Sequence, residues 1–225
     1  MKVVCIIQAR SGSTRFKEKI LSQIKKKTLL EILIERLKKS KKIDQIVIAT
    51  TKKKDDIKII KIAKKKNVSF FRGSEKNVLK RYIDCAVKFK ATIIVRITSD
   101  CPLSDPTLID TLIYNHLKKK VQYSSNINPR SFPDGLDIEI INFKSLLNLK
   151  SKKLSLYDKE HVTPYLIKSK NIKKYNYKYK RDYSKLRWTI DYKKDYLYLK
   201  KIFKKIKYNH LLSWEKILKK VNNLK

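Results

Sequence analysis

An α/β fold on a doubly wound, mostly parallel sheet is predicted by three features of the sequence. Strand-like apolar runs alternate with amphipathic helical stretches through about the first 120 residues. The run TIIVRITSD (92–100) is near-continuously apolar, as at the centre of a parallel sheet. No repeat and no linker-like segment interrupts the 225 residues, so residues 1–225 read as a single domain.

The elements follow in order. KVVCIIQ (2–8) is the first strand. A helix at 28–40 shows a 3.6-residue stripe of Leu29, Ile32, Leu33 and Leu37 with Arg36 on its edge. DQIVIATT (44–51) is a second strand, 54–66 a second amphipathic helix and VSFFRG (68–73) a short third strand. A helix at 74–89 has Ser74 at its N-cap position. The strand at 92–100 then leads through DCPLSDP into a helix at 107–119, with Asp105 as its cap. Beyond this the rhythm changes. VQYSSN and LDIEII are strand-like, KEHVTPYLIKS is helical with a proline interruption, and NIKKYNYKYK is strand-like, giving a smaller β-rich element at about 121–185. LRWTIDY reads as a return to the main sheet, and helices at about 193–206 and 211–223 close the chain.

A formal charge of +37 raises nucleic acid or an anionic membrane as partners. The lysines, however, are spread over every helix on its solvent side, which reads as a solubilising surface. KKYNYKYKRDY (173–183) is the best candidate for base stacking, and its alternation fits an exposed strand at least as well. No apolar run reaches the length of a membrane span and the N-terminal stretch lacks a signal-peptide pattern. Cys5, Cys85 and Cys101 are odd in number and scattered, as reduced thiols of a cytoplasmic protein. The chain has three glycines, and nine arginines among 57 basic residues. Gly12 lies between Arg10 and Arg15, Gly73 follows Arg72, and Gly135 follows Arg130 by five residues. Positions so sparingly used point to backbone or planar-fork requirements.

In an open α/β sheet, ligands bind beyond the carboxyl ends of the strands. Three segments meet that condition. ARSGSTR (9–15) follows the first strand with small residues whose N–H groups can face one point, and Arg10, Arg15 and Lys19 could neutralise phosphates. It matches neither GxxxxGK[ST] nor GxGxxG, and a solvated basic turn is the competing reading. SDCPLSDP places Asp100 at a strand end, where a carboxylate can hold Mg²⁺; turn formation is the alternative. RWTIDY places Asp191 at an apolar strand end as a second metal carboxylate or as a helix cap. His161 could be a base, a ligand or a satisfied core histidine, the last being favoured, while His116 and His210 read as surface residues. No zinc spacing and no nucleophile elbow is present.

Taken together, IIQARSGSTRFKEKIL, IVIATT, FRGSEKNVLKRY, IVRITSDCPLSDP, SFPDGLDIEI, EHVTPYL and LRWTIDYKKD resemble, in the same order, the cytidylyltransferase-like family of the spore coat polysaccharide biosynthesis protein F type. That family is related to CMP-Kdo and CMP-sialic acid synthetases. The resemblance covers residues 2 to roughly 200 and implies a Rossmann-like nucleotidyltransferase fold that activates a sugar, acidic by that kinship, with CTP and releases pyrophosphate. It implies a nucleotide site of Gln8, Ala9, Arg10, Ser11, Gly12, Ser13, Thr14, Arg15, Lys19, Arg72 and Gly73. Arg15, Lys19 and Asp100 are implied as catalytic, with Mg²⁺ on Asp100 and Asp191. Arg96, Arg130, Asp134, Asp137, Glu139, His161 and Arg187 are implied toward the acceptor sugar or a homodimer partner. Any of Arg72, Arg96, Arg130 and Arg187 could supply a fork for a sugar carboxylate. The sequence departs from the family at Lys17-Glu18, where Pro-Gly is usual, which loosens the expectation for Lys19. A glycosyltransferase using a nucleotide-sugar on the same fold is the alternative, although a DxD triplet is missing from the fourth strand's loop.

Overall fold

The structure, a computed structural model, describes residues 1–13 and 15–221. Its first wing is parallel. Strands β1 (Val3–Gln8), β4 (Gln45–Thr51), β5 (Ser69–Gly73) and β6 (Ile93–Thr98) are joined by α1 (Leu29–Leu37), α2 (Ile57–Lys65) and α3 (Val78–Lys88). A two-stranded hairpin, β2 (Gln23–Ile24) with β3 (Lys27–Thr28), sits between β1 and α1. Helix α4 (Pro106–Lys118) leads to β7 (Tyr123–Ser125), β8 (Glu139–Asn142) and β9 (Lys174–Asn176). Helices α5 (Phe143–Leu147), α6 (Leu156–His161) and α7 (Pro164–Lys168) lie between β8 and β9, and α8 (Lys193–Lys205) and α9 (Trp214–Val221) come last.

One seven-stranded sheet results, in the order β5-β4-β1-β6-β8-β7-β9. The β-rich element contributes its three strands as an extension of this sheet. β8 pairs antiparallel with β6, Arg96 opposite Glu139, and β9 pairs parallel with β7. Alternate residues of the central strands serve opposite faces. Cys5, Ile7, Ile48, Val95 and Ile97 pack with α1, α4, α8 and α9. Val4, Ile6, Val47, Ala49 and Ile94 pack with α3 and the α5–α7 region.

Several local expectations are corrected. LRWTIDY does not rejoin the sheet. It runs as an extended segment held by a bridge between Asp134 and Arg187 and by the Ile190 amide donating to the Asp100 carbonyl (2.9 Å). The cap of α3 is Asn77, whose side chain accepts from the Lys80 amide; Ser74 caps nothing and instead accepts from Asn77 N–H. Asp105 does cap α4, accepting from the Leu108 amide at 3.0 Å. The tyrosines of 173–183 turn inward: Tyr177 and Tyr179 pack on Phe132, and Tyr179 meets Trp214 edge-on at 4.8 Å. They are half-buried and pack against the core's edge rather than standing free for base stacking. His116 is buried between Ser124 and Asn142, and His210 is half-buried against Glu35, whereas His161 is exposed beside Tyr157. Local sequence pointed the other way because the partners of His116 and His210 lie on other elements, whereas His161 meets its own helix neighbour Tyr157.

Candidate active site

The loop after β1 is built from beneath by a residue the motif does not contain. Asp56, 1 % exposed, follows β4 by five positions. Its Oδ1 accepts from the Ser11 amide (2.8 Å) and hydroxyl (2.6 Å), and its Oδ2 from Thr50 Oγ1 and from the amide and hydroxyl of Thr51. Burial raises the carboxyl pKa, but these donors outweigh it and hold Asp56 below the usual aspartate value. Ser11 is thereby fixed, and its carbonyl accepts from Ser13 N–H (2.9 Å) and Glu18 N–H (3.2 Å), closing the loop on itself. Ala9 is buried with its amide on the Ala49 carbonyl, Gly12 is exposed, and Arg10 and Arg15 reach solvent. Thr14 lies outside the described residues.

Glu18 adopts φ 53° and ψ 26° in the slot where the family carries glycine. The left-handed turn is therefore kept without the residue suited to it, at a cost of about 1 kcal/mol. The turn delivers Lys19 across the loop. Its ammonium donates to Asp100 Oδ2 (3.0 Å), Asp191 Oδ1 (3.0 Å) and the Ile190 carbonyl (2.6 Å). Burial works against the charge, but Asp100 and Asp191 prevail and raise the Lys19 pKa. Arg15 approaches the same Asp191 oxygen at 4.0 Å, with its guanidinium over the Tyr192 ring.

Asp100 and Asp191 meet because the chain is stitched behind them. Gly135 takes φ 110°, and a Cβ there would lie 2.5 Å from the Thr189 nitrogen, so only glycine lets the 133–136 turn close on 188–189. The Asp134 carbonyl then accepts from the amides of Trp188 (2.6 Å) and Thr189 (3.0 Å). Asp191 does not cap α8 with its side chain. Asp195 does the orienting, its Oδ2 accepting from the amides of Asp191 and Tyr192, both at 2.9 Å. That frees the Asp191 carboxylate, whose pKa burial raises but Lys19 and Arg187 bring down on balance.

Arg187 links Asp191 Oδ2 (2.7 Å) to Asp134 Oδ2 (2.7 Å) and reaches Asp195. Arg130 forks onto both oxygens of Asp137. Asp134 is pushed upward by burial and by Asp137 next to it. Arg130, Asp134, Asp137 and Arg187 thus form one charged network continuous with Asp191.

The other arginines stand elsewhere. Arg72 donates to the carbonyls of Thr51, Lys52 and Lys53, bracing the end of β4. Arg96 pairs with Glu139 within the sheet, Tyr123 donates to the same carboxylate, and the Gln8 side chain is 3.5 Å away. Gly73 is glycine because Arg81 passes over it, a Cβ there being 2.8 Å from the arginine Cγ. Arg81, fully buried, donates to the Ser74 carbonyl, while its Nε and Nη2 have no hydrogen-bond partner among the described residues. Asp56 and Asp195, which orient this site, are the residues that motif reading missed. The clue for Asp56 was a rare acidic pair in KKKDD, directly after a strand.

The donor set at Asp100, Asp191 and the Ile190 carbonyl consists of oxygens aimed at one point, which suits a hard divalent cation. Among the described residues no cluster of three or more His, Cys, Asp or Glu side chains surrounds a common point. Phosphate and water oxygens would have to complete such a shell.

Known proteins resemble this chain over most of its length. The family model described as Cytidylyltransferase matches residues 4–220. An uncharacterised protein of Methanocaldococcus jannaschii is 41 % identical over 203 residues, 88 % of this chain and 82 % of that protein. The spore coat polysaccharide biosynthesis protein SpsF of Bacillus subtilis is 33 % identical over 212 residues, 90 % of this chain and 87 % of SpsF. A solved cytidylyltransferase structure from Leptospira borgpetersenii superposes with a TM-score of 0.95 at 37 % identity, covering 99 % of this chain and 94 % of that one. This chain is a nucleotidyltransferase and belongs to the cytidylyltransferase family.

Proposed function

We propose that the enzyme uses CTP to activate an acidic sugar as its CMP derivative, releasing pyrophosphate, for surface polysaccharide biosynthesis. The observation that carries this reading is the convergence of Lys19, Asp100 and Asp191 beside an arginine-bearing loop at a strand's carboxyl end. The sugar oxygen attacks the α-phosphate and the bond to pyrophosphate breaks, so the protein's task is positioning and charge neutralisation. The amides around Ser11–Ser13, with Arg10 and Arg15, hold phosphate oxygens, and Lys19 joins them. Asp100 and Asp191 would hold Mg²⁺, which when bound supplies charge neutralisation at the α-phosphate. Of the four candidate forks, Arg130 and Arg187 are the two in the charged network continuous with Asp191, which supports a role for them toward an acceptor's carboxylate. The sheet extension at 121–185 would carry acceptor and homodimer contacts, with Leu156 and Tyr157 of α6 exposed on it. No helix among the described residues is long and apolar enough to cross a membrane. Together with three unpaired buried cysteines, this supports a cytoplasmic enzyme.

The test is Mg²⁺-dependent pyrophosphate release from CTP across acidic and neutral sugars, with ATP, GTP and UTP as controls. Release with CTP and an acidic sugar is expected. Silence with every acceptor, alongside turnover of a ready-made CMP- or UDP-sugar, would turn the reading to a glycosyltransferase.

A further inference from the structure

All three N–H bonds of the Lys19 ammonium are engaged. They point at Asp100 Oδ2 (3.0 Å), Asp191 Oδ1 (3.0 Å) and the Ile190 carbonyl (2.6 Å). These are the oxygens that suit a divalent cation, so the Lys19 ammonium stands where such a cation would lie. The Lys19 side chain is 14 % exposed and the two carboxylates 27 % each, so the triad is largely withdrawn from water. Screening of its attraction is correspondingly reduced. Asp191 is further occupied on its other oxygen by Arg187 at 2.7 Å.

We infer that Lys19 is an exchangeable plug, so that the divalent cation and the nucleotide bind in a coupled order. The inference rests on the cytidylyltransferase reading above. An ammonium leaving two carboxylates needs another anion within the reach of its own side chain. The loop of Ser11 to Arg15, which the Glu18 turn ties to Lys19, is where a triphosphate would supply one. When nucleotide arrives, Lys19 shifts to phosphate oxygens and vacates the oxygens of Asp100, Asp191 and Ile190. Without nucleotide, a cation entering from solution has to displace a hydrogen-bonded ammonium that has nowhere comparable to go. Free enzyme is thus kept in a metal-poor state, and by thermodynamic reciprocity the cation strengthens nucleotide binding by the same factor.

The test uses Mn²⁺, titrated by electron paramagnetic resonance into the full-length protein with and without CTP and no acceptor. Wild type is expected to bind Mn²⁺ weakly alone. With saturating CTP the bound Mn²⁺ should tighten beyond its affinity for CTP in solution, by about tenfold to a hundredfold, the usual range of such couplings. Lys19→Met is expected to bind Mn²⁺ without nucleotide at least about tenfold more tightly than wild type. Lys19→Arg, which keeps a cation at the position, should remain weak. Metal binding by nucleotide-free wild type as tight as in the CTP complex would overturn the proposal, and this measurement needs no variant to fold. A folded Lys19→Met protein with no gain would overturn it equally. Failure of the broader reading looks different: calorimetry would then detect no CTP binding to wild type, with or without Mn²⁺.

Discussion

Replacing Asp56 with alanine separates the scaffold of the nucleotide loop from the loop itself. The carboxylate accepts five hydrogen bonds, and two come from backbone amides, Ser11 at 2.8 Å and Thr51 at 3.1 Å. The three hydroxyl donors can rotate toward other acceptors, but the amides cannot, and both residues are buried. Each orphaned amide costs about 1–3 kcal/mol, so the variant should lose about 4 kcal/mol. For a chain of this size that corresponds to a fall in Tm of about 8–16 °C, read by circular dichroism at pH 7. The KM for CTP should rise by about tenfold or more, because Ser11 no longer has a fixed position. The pH dependence has a definite sign. The folded pKa of Asp56 lies below its unfolded value, so its contribution is complete above about pH 4 and is lost as pH falls through the folded value. The gap in Tm between wild type and variant should therefore narrow in acid. An alanine variant melting within about 2 °C of wild type at pH 7 would refute the buttress.

Three further outcomes are expected. Asp100→Asn should lower Mg²⁺-dependent pyrophosphate release by at least about a hundredfold, and full retained turnover would remove Asp100 from the metal site. Glu18→Gly should raise stability by about 1 kcal/mol, since it relieves a left-handed non-glycine residue and gives up only an exposed ion pair to Lys58; an unchanged or lower Tm would count against strain there. Gly135→Ala should destabilise by about 3 kcal/mol or more, and should depress turnover in the fraction that folds, because Asp191 depends on that turn. A variant matching wild type in both Tm and turnover would contradict the close approach at Thr189.

What was legible in the sequence was whatever local pattern controls. The alternation of strands and helices, the Asp105 cap and the carboxyl-end loops all depend on residues within one turn or one strand. The structure brings Arg15, Lys19, Asp100 and Asp191 together from three loops, the first two of which follow strands as the sequence suggested, while the segment bearing Asp191 is no strand. What stayed hidden depends on partners far along the chain. Arg72 and Arg96 looked like free forks, yet one braces carbonyls and the other pairs across the sheet with Glu139. LRWTIDY has the composition of a strand, but the Asp134 carbonyl and the Asp100 backbone hold it outside the ladder. Asp56 lies 45 positions from the serine it fixes, a distance no motif window spans.

The joint at β6 and β8, where the parallel wing meets the antiparallel one, also sets a schedule for synthesis. Lys19 leaves the ribosome early, with the parallel wing, but Asp191 follows it by 172 residues. A nascent chain can complete the β5-β4-β1-β6 wing while two of the three oxygens around the Lys19 ammonium, those of Ile190 and Asp191, are still untranslated. The proposed metal–nucleotide site would therefore be completed only near the end of translation, after the later segment has docked beside Asp100.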